Sequence, residues 1–239
     1  MAERLRINVV TLFPESIAAF LGASIPARAA AAGLVEYRLV QLRQFTHDRH
    51  QTVDDYAYGG GAGMVLKPEP FFEAVESLGP PEGPVVLLSA RGRRFGHDDA
   101  VRLSLAREVT LLCGHYKDVD QRVADHLATD EISIGDFVLS GGEPAAICVI
   151  DAVVRLLPRA LGDHESASGD SHYDGLLSPP SWTRPPEYRG WEVPAMLRSG
   201  DHAAIAAWRR AEAERLTAER RPDLWAAYRE LHDGPDGPH

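Results

Sequence analysis

The chain alternates short apolar runs with stretches of helical character over its first 160 residues. Residues 5–12, 34–42, 85–88 and 109–113 are rich in Val, Leu and Ile, which predicts buried β-strands. Residues 14–32, 68–78, 98–107, 120–127 and 144–157 are predicted helices between and after them. Because strands separated by helices are typical of βαβ units, we predict an α/β domain built on a parallel sheet.

Proline and glycine indicate where some of these helices begin and end. Pro14 and Pro144 stand in first turns, where the missing N–H of proline costs no helical hydrogen bond. We expect the first helix to be interrupted near Pro26 and to end at Gly33.

Residues 132–144, ISIGDFVLSGGEP, combine a strand end, a glycine-flanked apolar loop and a helix start. The glycines permit another molecule to approach the main chain closely. The backbone of such a loop can bind the edge of a purine while Ile134, Phe137 and Leu139 pack on its faces. On spacing alone, a buried turn between core elements is an equal alternative.

Two upstream strands also end in small and polar residues. SARGR at 89–93 follows the run 85–88, and GHYKD at 114–118 follows the run 109–113. Ligands of open α/β sheets bind beyond the carboxyl ends of the strands. We therefore expect these two loops and the 132–144 loop to line one pocket.

The segment 45–64, FTHDRHQTVDDYAYGGGAGM, is too long and polar for a simple connection. Contact with phosphate or RNA is one interpretation, and a mobile solvated loop is the alternative. A metal site from His47, His50 and Asp54 is less favoured. Residues 59–64 do not form the dinucleotide-binding motif G-x-G-x-x-G, because Met64 stands where its last glycine would be.

The composition changes after residue 160. Residues 161–173 are small, polar and punctuated by glycine, which predicts a linker between a domain at 1–160 and a domain at 174–239. Asp201 is expected to cap a helix that reaches about residue 221, and Pro222 to begin a last helix.

Composition narrows the function classes. Hydrophobic residues make up 44% of the 239, enough for a core, and no apolar run reaches the ~18 residues of a membrane span. With no signal-peptide pattern, we expect a cytoplasmic protein whose thiols, Cys113 and Cys148, are buried and reduced. The net charge of −10 argues against nucleic acid as a partner. However, arginine supplies most of the positive charge, and its guanidinium group binds phosphate well.

Several segments together resemble one protein family. Besides the 132–144 loop they are LFP at 12–14, FTHDRH and YGGGAGM within 45–64, CGHYKDVDQRV at 113–123, GDS at 169–171 and EVPAMLRSGDHAAIAAWR at 192–209. In this order they are similar to the bacterial tRNA (guanine-37, N1)-methyltransferases, the TrmD family of the SPOUT class.

The resemblance implies a SPOUT-type α/β fold, in which a knotted parallel-sheet domain precedes a small, mostly helical tRNA-binding domain. It implies a homodimer with its active sites at the subunit interface, and no membrane partner. It implies transfer of a methyl group from S-adenosyl-L-methionine to N1 of the guanine at tRNA position 37, in support of reading-frame maintenance. Assistance by Mg²⁺ is also expected from the family.

The family motifs also assign roles to individual residues. Asp170 matches the catalytic base and Arg155 the essential arginine. The residues assigned to S-adenosyl-L-methionine are Gly114, Ile134, Gly135, Asp136, Phe137, Val138 and Leu139, with Ser89, Gly141 and Gly142 as additions. The residues assigned to tRNA are His47, Arg49, His50, Asp54, Gly60, Trp208 and Arg209. No residue is assigned as a metal ligand.

The chain departs from many family members at His115 and Lys117, where arginine and glutamate are common. Two rival functions stay open: a SPOUT enzyme that methylates a ribose or a ribosomal base, and a tRNA-binding module without catalysis. The presence of Asp170 and Arg155 favours the enzyme. A nucleotide hydrolase is disfavoured because no G-x-x-x-x-G-K-[ST] occurs.

Overall fold

In the computed structural model, which describes residues 4–161 and 169–232, the chain divides into two units, Met1–Gly162 and Asp163–His239. A parallel sheet forms the centre of the first unit. Its strands, in the order β2-β1-β6-β5-β8, are β1 (Leu5–Thr11), β2 (Val35–Gln41), β5 (Val85–Arg94), β6 (Glu108–Cys113) and β8 (Asp130–Ser133). Each neighbouring pair is parallel, so the predicted α/β architecture is confirmed.

Helices cover both faces of this sheet. They are α1 (Pro14–Leu21), α2 (Ser24–Ala31), α3 (Pro68–Glu76), α4 (His97–Ser104), α5 (Gln121–His126) and α6 (Glu143–Val154). Ile7 and Val9 of β1 pack with α1, α2, α4 and α6, whereas Val10 packs with α3 and α5. Burial on both faces explains why the strands are continuous apolar runs rather than alternating ones.

The predicted interruption of the first helix is present, and it lies just before Pro26. α1 ends at Leu21 and α2 begins at Ser24. Pro26 therefore lies in the first turn of α2, where a backbone N–H has no helical partner and proline is tolerated.

The strand predicted at 85–88 is longer than its apolar run, because β5 continues to Arg94. An irregularity lies between Leu88 and Arg93, both of which align with Ile132 of β8, so residues 89–92 loop out of the ladder. Pairing with β8 resumes at Arg93 and Arg94, so the strand ends in polar residues beyond the apolar run.

The segment 45–64 is not wholly a loop. It contains β3 (Asp54–Tyr56) and leads into β4 (Met64–Leu66), which pairs antiparallel with β3 and parallel with β7 (Asp118–Val119). The N–H of Lys117 donates to the carbonyl of Met64 at 3.1 Å. This small sheet holds the glycine-rich turn beside the loop that follows β6.

The second unit contains α7 (His202–Arg220), α8 (Pro222–His232) and a hairpin of β9 (Glu187–Tyr188) and β10 (Trp191–Glu192). The carboxylate of Asp201 accepts a hydrogen bond from the N–H of Ala204 at 3.0 Å, so the predicted helix cap is confirmed. In the part of the chain that the structure describes, no helix is both long and apolar enough to cross a bilayer.

The two cysteines differ in environment. Cys113 is buried, as predicted, but Cys148 is exposed, so the prediction of two buried thiols was wrong. Cys148 lies on the outer face of α6, whereas the neighbouring Val149 and Ile150 face the core. The residues around Cys148 are apolar, so the sequence did not indicate which face of the helix is exposed.

Candidate active site

A cavity lies beside residues 89–91 of β5 and at the carboxyl ends of β6 and β8. Residues 89–91, which loop out of the ladder, and the loops after β6 and β8 all contribute to its wall, so the structure brings the three predicted segments together. The predicted cofactor residues on the wall are Ser89, Gly114, Ile134, Phe137, Val138, Leu139, Gly141 and Gly142. The strand ends meet because parallel strands place their carboxyl ends at one edge of a sheet.

Gly135 and Asp136 belong to the same loop but are not on the cavity wall. The carbonyl of Gly135 accepts hydrogen bonds from the Ser133 hydroxyl and the Phe137 N–H, each at 2.9 Å. A Cβ at position 135 would lie 2.5 Å from the ring of Phe137. Asp136 pairs with Arg94. These two residues therefore shape the loop instead of facing the cavity.

The cavity rim carries apolar side chains that the protein leaves uncovered. Phe137 is 55% exposed and Val138 is 86% exposed, with Leu139 partly exposed beside them. Adjacent exposed large apolar side chains are characteristic of a surface that a ligand covers. This rim is suited to an aromatic heterocycle.

The glycines at the end of the loop allow a close main-chain contact. The N–H of Gly142 donates to the carbonyl of Gly114 at 2.8 Å, and Gly141 forms an isolated bridge with His115. A Cβ at position 142 would lie 2.7 Å from the Cα of Cys113. The wall here is main chain, whose N–H and C=O groups supply fixed donors and acceptors.

A buried carboxylate stands behind this wall. Glu143, 6% exposed, accepts a hydrogen bond from the Thr11 hydroxyl at 2.6 Å, and its other oxygen is 4.0 Å from Nδ1 of His115. Burial, and secondarily Glu143, raises the pKa of the Cys113 thiol well above its usual value. The sequence analysis did not predict this contact. The GGEP motif contains Glu143, but no pattern in the sequence pointed to Thr11 as its partner.

Polar side chains on another part of the rim were not predicted as cofactor residues. They include Arg91 and Asp118, whose side chains form an ion pair at 3.3 Å, and Lys117. A Cβ at Gly63 would lie 3.2 Å from Cβ of Lys117, so the lysine side chain packs on the glycine-rich turn. The only sequence signal was the presence of these residues in the motifs at 89–93 and 113–123.

A family model described as tRNA (Guanine-1)-methyltransferase TrmD matches residues 5–227. The chain belongs to this tRNA (guanine-1)-methyltransferase family. The family predicted from the sequence motifs is thereby confirmed, and the parallel α/β sheet agrees with its SPOUT class.

Curated relatives match over almost their full length. A protein of Dehalococcoides mccartyi is 53% identical over 223 residues, which are 92% of this chain and 90% of the relative. One of Gloeobacter violaceus is 52% identical, covering 92% of this chain and 98% of the relative. One of Anoxybacillus flavithermus is 49% identical, covering 94% of this chain and 93% of the relative. All three are named tRNA (guanine-N(1)-)-methyltransferase.

The two residues predicted to be catalytic, Arg155 and Asp170, lie in different units. Arg155 follows the last turn of α6, and its N–H donates to the carbonyl of Asp151 at 3.2 Å. Asp170 belongs to the second unit, where its carbonyl accepts a hydrogen bond from the N–H of Tyr173 at 3.4 Å. It lies on the wall of a second cavity, within that unit, together with Trp182.

The predicted tRNA residues of the first unit are on the surface. His47, Arg49 and His50 are exposed, and Nε2 of His47 is 2.9 Å from the Glu73 carboxylate. Asp48 accepts hydrogen bonds from the N–H groups of Thr52 and His50, and these lower its pKa. Asp54 begins β3, and Gly60 has a left-handed φ of 78° that favours glycine.

The alternative of a metal site on this segment is contradicted. Within residues 4–161 and 169–232, no group of three His, Cys, Asp or Glu side chains is placed to hold a metal ion. His47, His50 and Asp54 therefore do not converge as ligands.

The predicted tRNA residues of the second unit lie near its own cavity. The rings of Trp208 and Trp182 are 5.6 Å apart between centroids and tilted by 56°. Arg209 lines that cavity with Arg184 and Arg198. Aromatic rings and guanidinium groups together are suited to unpaired bases and phosphates.

Proposed function

We propose that this chain transfers the methyl group of S-adenosyl-L-methionine to N1 of the guanine at tRNA position 37, and so supports reading-frame maintenance. The observation that carries the proposal is the cavity at the strand ends, whose wall combines apolar side chains with glycine main chain. It lies in a chain that the family model matches from residue 5 to 227. The names of the relatives support guanine N1 as the target. The motif resemblance supports position 37.

The residues on the cavity wall fit S-adenosyl-L-methionine. At Gly141 and Gly142 a Cβ would collide with neighbouring atoms, so the wall there stays bare main chain, able to bind the edge of an adenine. Phe137 and Leu139, with Ile134, provide apolar surface for its faces. We assign Gly135 and Asp136 to holding this loop in shape.

The chemistry needs a proton acceptor and a group that stabilises negative charge. S-adenosyl-L-methionine supplies a methyl group that its sulfonium activates. The Asp170 carboxylate accepts the proton of guanine N1, and the freed nitrogen lone pair forms the new N–C bond as the S–C bond breaks. Arg155 stabilises the negative charge that develops on guanine O6. General-base assistance of this kind contributes roughly 10²–10⁴-fold in rate.

The other parts of the proposal rest on the family resemblance. The segment 45–64 and the second unit, with Trp208 and Arg209, hold the tRNA. Two chains form a homodimer with active sites at the subunit interface, and the trefoil knot stays a prediction. We assign no residue to Mg²⁺.

The test is to locate the methyl group. Unmodified tRNA transcripts with guanine or adenine at position 37 are incubated with the protein and methyl-deuterated S-adenosyl-L-methionine, then digested and analysed by mass spectrometry. We expect deuterated 1-methylguanosine at position 37 of the first transcript and none in the second. A 2′-O-methylated nucleoside would indicate the other SPOUT chemistry. Tight tRNA binding without methylation would indicate the non-catalytic module.

A further inference from the structure

Thr217 of α7 holds the chain segment that follows Asp170. The Thr217 hydroxyl accepts a hydrogen bond from the N–H of Leu177 at 2.9 Å and donates to the carbonyl of Ala213 at 2.6 Å. Thr217 is fully buried. Since both of its hydrogen bonds are inside the unit, the hydroxyl fixes Leu177 against the last turn of the helix.

The segment from Asp170 to Ser178, here called the base loop, is closed on itself. The Ser171 hydroxyl accepts a hydrogen bond from the N–H of Ser178 at 2.9 Å, and the two serine hydroxyls are also 2.9 Å apart. Within the loop, the N–H of His172 donates to the carbonyl of Leu176 at 2.7 Å. Closure at Ser171 fixes the main chain one residue from Asp170.

A third contact ties the base loop to the same helix. Arg210 donates to one oxygen of Asp174 at 2.8 Å, and the other oxygen accepts a hydrogen bond from the N–H of Leu176 at 3.2 Å. Leu176 itself is 2% exposed and packs against Ala213. The base loop is thus bound to α7 through a buried hydroxyl, an ion pair and an apolar anchor.

We propose that Thr217 is a positioning residue for Asp170, which it places by anchoring the base loop on α7. This inference rests on the proposed function, because it assumes that Asp170 is the base. A base must be held within about 0.5 Å of its productive position, and a surface loop gains that precision only from supporting contacts. It follows that the position of Asp170 depends on the fold of the second unit.

The test compares Thr217→Val with Thr217→Ser. Valine keeps the shape but leaves the N–H of Leu177 without its acceptor, whereas serine keeps the hydroxyl. Single-turnover methyl transfer is measured at saturating tRNA and S-adenosyl-L-methionine, with both dissociation constants. We expect Thr217→Val to be slower by roughly 10-fold or more, because a misplaced group loses its orientation advantage. Thr217→Ser should restore most of the rate, and both variants should retain wild-type affinities.

A double-mutant cycle separates positioning from a general loss of structure. In an Asp170→Asn background, Thr217→Val should cost little further rate, since the two changes act through one carboxylate. If the rate loss of the double variant were the product of the two single-variant losses, the proposal would be overturned. A Thr217→Val variant that transfers methyl at the wild-type rate would overturn it as well. Should Thr217→Val not fold, Ser171→Ala replaces it in the same cycle, since it removes the hydroxyl that accepts the N–H of Ser178 and leaves α7 intact. A wild-type protein that does not methylate tRNA would instead overturn the proposed function. An Asp170→Asn variant that transfers methyl at the full rate would overturn the assignment of Asp170 as the base.

Discussion

Gly142 lies against the backbone of Cys113, with no room for a side chain between them. A Cβ at Gly142 would be 2.7 Å from the Cα of Cys113, closer than real Cβ atoms approach. The contact joins the end of β6 to the start of α6. It keeps that part of the cavity wall free of side chains, which is what a site that binds an adenine edge through main-chain groups requires.

Gly142→Ala should therefore damage the cofactor site. Its φ of −77° is one that alanine adopts readily, so the whole effect arises from the collision with Cys113. We expect the free energy of unfolding to fall by about 1–3 kcal/mol, as for other overpacked sites. Calorimetry should show S-adenosyl-L-methionine affinity reduced by roughly tenfold or more, which corresponds to about 1.4 kcal/mol.

Gly96→Ala is the matched control for this substitution. Gly96 has a φ of −136° and no atom within 4 Å of a would-be Cβ, and it lies outside the cavity wall. Its cofactor affinity should equal that of the wild type. Equal affinity in Gly142→Ala as well would mean that the close contact has no role in cofactor binding.

Phe137→Ala should weaken cofactor binding without destabilising the protein. The ring is 55% exposed in the folded chain, so its removal takes little buried surface from the folded state. When bound ligand covers the ring, its loss should cost about 1–2 kcal/mol, or roughly 5- to 30-fold in affinity. Leu105→Ala, at an 81% exposed position away from the cavity, is the control in the same calorimetric titration. Unchanged affinity in Phe137→Ala would place the adenine elsewhere.

Asp99 should contribute stability that depends on pH. Arg93 contacts its carboxylate at 2.6 Å and, with the N–H of Gly96, lowers its pKa below the usual value. Because the folded pKa is the lower one, this stability is present above the unfolded pKa of about 3.9 and is lost as pH falls through the folded pKa. Asp99→Asn should cost about 1–3 kcal/mol at pH 7 and progressively less in acid.

The exposed neighbour Asp98 provides the comparison for that measurement. Asp98→Asn should change the free energy of unfolding by less than about 0.5 kcal/mol at neutral pH. Urea unfolding of both variants and the wild type between neutral and acid pH gives the differences directly. A deficit for Asp99→Asn that stays constant down to the lowest pH would show that ionisation of Asp99 is not its source.

Sequence patterns predicted the parallel sheet and the edge where the cavity lies. The reason is physical, since strands buried on both faces are apolar throughout and parallel strands all end at one edge. The GGEP motif likewise placed Gly142 at the start of α6, but its contact with Cys113 was not foreseen.

Features that depend on contacts between distant residues were not predicted. The partner of Glu143 is Thr11, 132 residues away, and no local pattern links them. β5 passes residue 88 because Gly92 packs on β8, where a Cβ would lie 2.5 Å from the backbone nitrogen of Ile132. The anchoring of the base loop by Thr217 was missed for the same reason, since a helical threonine gives no sign of accepting a bond 40 residues away.

The role of Asp170 is the central claim, and one kinetic comparison tests it most directly. The single-turnover rate of methyl transfer to guanine-37 tRNA is measured for wild type and Asp170→Asn at saturating cofactor and tRNA, which prevents slow product release from hiding a chemical defect. Asparagine keeps the size and polarity but cannot accept the N1 proton. We predict that the rate falls by about 10²-fold or more and that cofactor affinity is retained. Equal single-turnover rates for the two proteins would contradict the assignment of Asp170 as the base.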